Sequence, residues 1–302
     1  MKRRDFLQSA IASAALAVIP VNQTFAESRQ DRRLPVRTKI SLNAYSFNRP
    51  LTSGQMTMDD MIDYAAQVGF EGIDLTGYYF PGYPQVPDDD YIYHIKQKAF
   101  DVGLEICGSG VRNDFAQADP VARQAAMKHV KDWIVVASKL GGQTLRIFSG
   151  NNVPAGHSRD EAFQWVVSCI NECADYAGKH GIKLAIQNHN DFLKTADQVE
   201  KLMQAIESPH VGLMLDIGSY QSADPYVEIE QTVKYAITWQ LKEEVFIYGK
   251  AVKTDLDKMK DIISRSGYRG YLPIETLGEG DPKQKIAVMF EEVKKRFNMM
   301  RV

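Results

Sequence analysis

Four oxygen-bearing side chains end four successive apolar runs in the C-terminal half of the chain. They are Gln187 in "KLAIQNHND", Asp216 in "VGLMLDIGS", Gln240 in "ITWQLKEEV" and Glu275 in "YLPIETLG". Carboxylate and amide oxygens are hard ligands, which suit Mn²⁺ or Mg²⁺ better than Zn²⁺. One interpretation is therefore a divalent metal site. The other is that these polar groups bond one another or water.

Two nearby groups could move a proton at a carbon next to a carbonyl group. Glu275 is the first candidate for this base, and His189 is the second because an imidazole titrates near neutral pH. Gln187 cannot act as a base, since an amide has no useful pKa in this range. Gln187 therefore cannot form one half of a pair of bases, and proton removal by a single base remains feasible.

Two cations end strands of the same set. Lys242 is a third catalytic candidate, and Arg146 is a candidate for substrate binding, because either could stabilise an enolate or hold a sugar hydroxyl. Each has a structural alternative. Arg146 could brace Asp216 or Glu275, and Lys242 could be solvated beside the two glutamates that follow it.

The elements that must position these residues alternate regularly between strand and helix. Eight apolar runs of strand length are each followed by a segment of helical period, and Ser158 with Glu161 forms a capping box at one helix start. This order predicts an α/β fold, a parallel (β/α)8 TIM barrel. A doubly wound sheet is the rival, but no Gly-rich dinucleotide fingerprint follows the first strand. No linker or low-complexity tract divides the chain, so we expect a single domain.

The C-terminal strand ends of such a barrel form the active site. Asn43, Tyr45 and Asp74 lie at the ends of the first two strands, so we predict that they bind substrate together with Arg146. The loop "GYYFPGYPQVP" after the second strand is rich in aromatic residues. This composition suits stacking on sugar rings, or packing against another loop or subunit.

The first 26 residues have the order of a secretory signal. The opening "MKRRDFLQSAIASAALAVIP" combines Arg3 and Arg4 with Phe-Leu and an Ala-rich run, which resembles the twin-arginine type. We therefore predict a signal peptide at 1–26, a TIM-barrel domain at 27–302 and a periplasmic or otherwise exported location. An uncleaved anchor is the alternative. No later segment has the length of a membrane span, so no membrane contact is expected after the signal is removed.

Charge and cysteine content limit the classes of partner. The formal net charge of the 302 residues is −2 and there is no long basic run, so nucleic acid is not an expected partner. The three cysteines, Cys107, Cys169 and Cys173, are expected in the core. Homo-oligomerisation is left open by the composition.

Several of these motifs together resemble a known family. The order of "FEGIDL", "TLRIF", "LAIQNHND", "LMLDIGS", "WQLKEEV" and "YLPIET" is similar to the sugar phosphate isomerase/epimerase family of xylose-isomerase-like TIM barrels. The resemblance implies one divalent metal held after the fifth to eighth strands, at Gln187, Asp216, Gln240 and Glu275. In this family those positions usually carry Glu, Asp, His and Glu, so this chain departs from the pattern twice.

The resemblance and the site residues together predict an exported, metal-dependent carbohydrate isomerase or epimerase. It would act through an enolate-like intermediate on a non-phosphorylated small carbohydrate, because Glu279 and Asp281 in the last loop would repel a phosphate. The alternatives are a keto-glycoside lyase that uses the same site, and a sugar-binding barrel that has lost catalysis.

Overall fold

The computed structural model describes residues 38–297, and the predicted signal peptide at 1–26 lies outside this range. Eight parallel strands close into a barrel: β1 (Thr38–Asn43), β2 (Gly72–Thr76), β3 (Glu105–Gly110), β4 (Thr144–Phe148), β5 (Lys183–Gln187), β6 (Val211–Asp216), β7 (Ala236–Lys242) and β10 (Gly270–Glu275). Each strand pairs with its sequence neighbour in the barrel, and β10 closes the barrel against β1. The predicted (β/α)8 barrel is confirmed.

Helices surround the strands in chain order. They are α1 (Asn48–Thr52), α2 (Met58–Val68), α3 (Asp89–Asp101), α4 (Pro120–Leu140), α5 (Arg159–Lys179), α6 (Ala196–Ala205), α7 (Pro225–Thr232), α8 (Leu256–Ser266) and α9 (Pro282–Phe297). The capping box expected at the start of α5 is present, since Ser158 Oγ accepts from Glu161 N and Glu161 Oε2 accepts from Ser158 N. Such reciprocal bonds satisfy two backbone donors that have no partner within the helix.

The apolar pattern of "ITWQLKEEV" had predicted a single strand, and this prediction is wrong. Strand β7 ends at Lys242, and the following residues form an antiparallel hairpin of β8 (Glu244–Ile247) and β9 (Lys250–Lys253). The hairpin has its own two-stranded sheet. Because the barrel strand ends at Lys242, that side chain lies at the C-terminal mouth of the barrel.

Most of the buried side chains are apolar. Leu42, Leu75, Leu145, Leu215 and Ile274 are fully buried, as expected for parallel strands covered on the outside by helices. All three cysteines are buried and unpaired, in agreement with the predicted core positions. Within residues 38–297, no helix has both the length and the apolar character needed to cross a bilayer.

Candidate active site

Five side chains from four adjacent strands meet at the C-terminal mouth of the barrel. We call them the amide–carboxylate ring: Gln187 of β5, Asp216 of β6, Gln240 and Lys242 of β7, and Glu275 of β10. Gln240 and Lys242 are two residues apart on one strand and therefore point to the same face. The strand register places Gln240 beside Asp216 and Lys242 beside Glu275.

Hydrogen bonds and ion pairs close this ring. Gln187 Nε2 donates to Asp216 Oδ2 at 2.8 Å and to Gln240 Oε1 at 2.5 Å. Gln240 Nε2 then donates to Glu275 Oε2 at 2.5 Å. Lys242 Nζ completes the circuit, at 2.8 Å from Asp216 Oδ2 and 3.2 Å from Glu275 Oε1. Each carboxylate therefore has an amide on one side and the ammonium on the other.

Burial and charge set the protonation of the ring. Burial lowers the pKa of Lys242, but the negative charges of Asp216 and Glu275 outweigh it, so the pKa of Lys242 is raised above its ordinary value. Burial raises the pKa of Glu275, the charge of Lys242 opposes this rise, and the charge of Asp216 adds to it. Lys242 thus remains a cation, and Glu275 is a stronger base than an exposed glutamate.

The sequence predicted that Gln187, Asp216, Gln240 and Glu275 would coordinate Mn²⁺ or Mg²⁺. The structure brings all four together, but in an arrangement that does not fit a divalent ion. Both amides direct their nitrogen atoms at the carboxylates, and an amide N–H is a donor, not a metal ligand. The Lys242 ammonium lies between the two carboxylates. The alternative in which the polar groups bond one another describes this arrangement.

Asn188 supports the ring from behind. It is fully buried, donates through Nδ2 to Asp216 O and accepts at Oδ1 from Asp216 N, both at 2.9 Å. Gly218 N donates to the other carboxylate oxygen, Asp216 Oδ1, at 2.9 Å. The backbone and side chain of Asp216 are therefore both held in place. No role had been predicted for Asn188, because its partner is a backbone group of another strand.

Arg146 lies on the neighbouring strand β4 and is 5% exposed. Its Nη1 donates to Tyr78 OH at 2.7 Å and to Val111 O at 2.5 Å, and its guanidinium lies 4.4 Å from the centre of the Phe148 ring. The alternative reading of Arg146, a structural brace for Asp216 or Glu275, does not describe these contacts. A Cβ on Gly110 would come within 2.9 Å of Arg146 Nε, so this glycine leaves space for the guanidinium.

Asp74 of β2 is a buried carboxyl group on the other side of the mouth. Its Oδ2 accepts from Asn43 Nδ2 at 3.1 Å. Burial raises the pKa of Asp74 to about 6, although the charge of Arg146 and the Asn43 hydrogen bond lower it; Glu275 adds a further rise. This carboxyl group therefore titrates close to neutrality. Asp74 was predicted to bind substrate, and its titration adds proton transfer to what it can do chemically.

Aromatic residues form the rim beside Arg146. Tyr45 and Tyr78 pack edge to face with ring centres 6.4 Å apart, and Tyr78 also contacts Tyr79 and Tyr83. Tyr45 follows β1, and its backbone N–H donates to Asn43 Oδ1 at 2.9 Å. Part of the aromatic loop thus reaches the site through Tyr78. The dense aromatic composition of this loop was the sequence signal that could have singled out Tyr78.

His189 lies farther out than the ring, with 42% of its side chain exposed. Its Nδ1 is 3.1 Å from Asp191 Oδ2, and its ring packs edge to face on Phe148 with centres 4.8 Å apart. The Arg146 guanidinium stacks on the same Phe148 ring. The structure places His189 at the rim, not in the ring.

Two cavities open beside the ring. One, of about 700 Å³, lies between the loops that follow β1 and β10, and Tyr45 and Thr276 are on its lining. The other, of about 530 Å³, is lined in part by Lys242. The two cavities share Leu277, Gly278, Glu279 and Lys285 as a common wall. Their volumes are in the range that small-molecule sites occupy.

The comparisons with known proteins agree with this fold. A family model described as a xylose isomerase-like TIM barrel matches residues 62–295. The chain is similar to D-psicose 3-epimerase from Clostridium cellulolyticum H10, at 13% identity and a TM-score of 0.72, over 86% of this chain and 99% of that one. It is similar to L-ribulose 3-epimerase, at 15% identity and a TM-score of 0.72, over 87% and 96%. It is also similar to 3-keto-D-glucoside 4-epimerase from E. coli, at 12% identity and a TM-score of 0.69, over 86% and 100%. No curated protein sequence matches the chain.

Proposed function

Because the chain belongs to the family of xylose isomerase-like TIM barrels, as the sequence had predicted, we propose that it is a carbohydrate isomerase or epimerase. The observation that carries this proposal is the pairing of a buried carboxylate, Glu275, with a partly buried cation, Lys242, at the barrel mouth. Proton removal next to a carbonyl needs both a base and a positive group. The sugar epimerases among the similar structures support the same class of substrate.

The proposed reaction begins with Glu275. This carboxylate takes the proton from the carbon next to the substrate carbonyl, and the electron pair of the C–H bond moves to the carbonyl oxygen to give an enolate. Each carboxylate oxygen has a second acceptor site beyond its bond to Lys242 or Gln240. The raised pKa of Glu275 strengthens it as a base. Lys242 N–H groups would stabilise the enolate oxygen.

Return of the proton decides the outcome. Delivery to the opposite face of the same carbon gives an epimer. Delivery to the former carbonyl carbon gives an isomer when the hydroxyl proton of the neighbouring carbon moves to the enolate oxygen, so that the carbonyl group forms on that neighbouring carbon. His189 is the second proton carrier, because its Nδ1 contacts Asp191 and leaves Nε2 for substrate. Loss of a leaving group from the carbon beyond the enolate would instead make the protein a keto-glycoside lyase, on the same site.

The substrate is proposed to be a non-phosphorylated sugar. Asp281 accepts from Lys283 N at 3.0 Å, so its carboxylate already caps the start of α9, where many barrels bind phosphate. The charge of the cavity lining does not by itself exclude a phosphate, since Arg49 and Lys283 line the 700 Å³ cavity together with Glu279 and Asp281. Thr276 lines this cavity, and its buried Oγ1 has no hydrogen-bond partner among the described residues.

Solvent exchange tests the proposal directly. The full chain is incubated in D₂O with a panel of ketoses, keto-glycosides and one phosphorylated ketose, and loss of each C–H signal is followed by NMR. We expect exchange in at least one neutral sugar, and the products distinguish epimer, isomer and eliminated fragment. Exchange confined to the phosphorylated ketose would contradict the substrate class.

A sugar-binding barrel is the second candidate. The observation that favours it is that the ring satisfies its own polar groups, with every carboxylate oxygen of Asp216 and Glu275 already accepting a hydrogen bond or ion pair. Calorimetric binding of a sugar that shows no deuterium exchange would support this candidate and reject the enzyme.

Export is part of the proposal. The paired Arg3 and Arg4 at the N-terminus support a twin-arginine signal. Fractionation of cells that express the chain should find it in the periplasm, and the double substitution Arg3→Lys with Arg4→Lys should retain it in the cytoplasm. An unchanged distribution would reject this route.

A further inference from the structure

We propose that the Lys242 ammonium takes the place of a divalent metal ion in this barrel, so that the site binds no such ion. Its chemical part, stabilisation of an enolate by Lys242, rests on the proposed function. The exclusion of metal does not, because it follows from the contacts of the ring alone.

The position of the Lys242 ammonium is the first reason that a divalent ion is excluded. Lys242 Nζ bridges Asp216 Oδ2 at 2.8 Å and Glu275 Oε1 at 3.2 Å. These carboxylates are the two anionic side chains in the ring, and an ion coordinated by both would need the space between them. An ammonium and a divalent cation repel each other strongly at such distances in a buried site. A metal would therefore have to displace the lysine.

The direction of the two amide groups is the second reason that a divalent ion is excluded. The remaining oxygens of the two carboxylates are also occupied by N–H donors, from Gly218 to Asp216 Oδ1 and from Gln240 to Glu275 Oε2. Carboxylates accept only, so the donor end of each amide must face them. Rotation of Gln187 or Gln240 to present oxygen to a metal would break these bonds. The ring is thus arranged for a donor, not for a Lewis acid.

The positive charge already present in the mouth is the third reason that a divalent ion is excluded. Arg146 and Lys242 place two positive charges in the mouth, the same charge that a divalent ion would supply. The backbone makes room for this arrangement, because a Cβ on Gly218 would come within 2.8 Å of Lys242 Cδ. Arg146 and Lys242 therefore supply the positive charge that a metal would supply, and Lys242 occupies the space that a metal would need.

Electron paramagnetic resonance of Mn²⁺ tests the inference without any assay of activity. The full chain is titrated with Mn²⁺, and free ion is counted from its signal. We expect the wild-type chain to show no site tighter than about 1 mM, the weak end of protein affinities for divalent ions. One Mn²⁺ per chain bound more tightly, with Lys242 intact, would overturn the proposal.

A variant that removes Lys242 and replaces the two amides with metal ligands should gain a Mn²⁺ site. In Lys242→Ala combined with Gln187→Glu and Gln240→His, two oxygen or nitrogen ligands join Asp216 and Glu275. We expect one Mn²⁺ per chain, with affinity at least about tenfold above wild type. Lys253→Ala, which removes a lysine paired with Glu292 at 3.0 Å outside the site, is the matched control and should bind no Mn²⁺.

The outcomes are distinct. If neither the wild type nor a folded ring variant binds Mn²⁺, Lys242 is not what excludes the ion, and the proposal fails. If the ring variant does not fold, Lys242→Ala combined with Gln187→Glu replaces it and is read in the same way. Deuterium exchange by the wild type should be unaffected by EDTA, and Mn²⁺ should not restore exchange to Lys242→Ala. Absence of exchange in every sugar would reject the proposed function while leaving the Mn²⁺ titration to decide this inference.

Discussion

The side chain of Asn188 bonds to both the backbone N–H and the backbone C=O of Asp216, and each hydrogen bond is 2.9 Å long. The pair imitates a strand ladder, although Asn188 contributes a side chain and not its backbone. The two bonds fix the position of Asp216, the last residue of β6, whose carboxylate contacts Lys242. The stretch "QNHND" thus serves three separate purposes: Gln187 enters the ring, Asn188 supports it, and His189 reaches the rim.

Removal of this support should be costly. In Asn188→Ala, a buried N–H and a buried C=O of Asp216 lose their partners, so we expect the free energy of unfolding to fall by about 2–4 kcal/mol. Urea denaturation measures the change. Asn151→Ala removes an exposed amide that bonds to Asp114 and should cost less than about 1 kcal/mol. Equal losses in the two variants would contradict a special role for Asn188.

Glu275→Gln should abolish proton transfer while the fold is kept. The amide has nearly the shape of the carboxylate but cannot take a proton, so deuterium exchange of the substrate should fall at least about 100-fold. Glu244→Gln, at an exposed position on the nearby hairpin, should exchange at the wild-type rate. An unchanged rate in Glu275→Gln would remove it as the base and direct attention to His189→Gln.

Asp74 should make stability depend on pH in a definite direction. Its pKa is raised from 3.8 to about 6 in the folded protein. Between these values the folded chain keeps a proton that the unfolded chain has released, so stability falls as pH rises through this window. A rise of this pKa from 3.8 to about 6 corresponds to about 3 kcal/mol. In Asp74→Asn, the loss between pH 4 and pH 7 should be smaller than in wild type by about this amount.

Chemical denaturation at several pH values measures this dependence. Asp101→Asn, at an exposed position at the end of α3, should follow the wild-type curve. A parallel curve for Asp74→Asn would mean that the pKa of Asp74 is not raised by burial.

Arg146→Met should raise the pKa of Asp74 still further. The Arg146 charge lowers that pKa in the wild type, and methionine removes the charge while keeping an apolar side chain beside Phe148. Carbon NMR of the labelled Asp74 carboxyl measures the titration. Arg112→Met is the matched control, because Arg112 stacks on the same Phe148 ring at 5.8 Å without acting on Asp74. A similar shift in both variants would refute the assignment to Arg146.

The barrel could be predicted from the sequence because its signals are local. Apolar runs alternate with helical periods, and capping residues such as Ser158 and Glu161 mark a helix start within a few positions. The convergence of Gln187, Asp216, Gln240 and Glu275 followed from the same pattern, since the C-terminal ends of parallel barrel strands meet at one mouth. The hairpin after β7 was missed because its residues continue the same run of strand-like pattern.

The sequence by itself therefore determined the closed barrel and the set of side chains at its mouth, but not how they pair. Only the tertiary structure decided that Lys242 lies between Asp216 and Glu275 and that Asn188 bonds to a neighbouring backbone. The physical reason is that strand period sets the direction of a side chain, whereas partner choice depends on distances of a few ångströms between separate strands. Those distances come from the register and curvature of the closed sheet, and no short stretch of sequence encodes them.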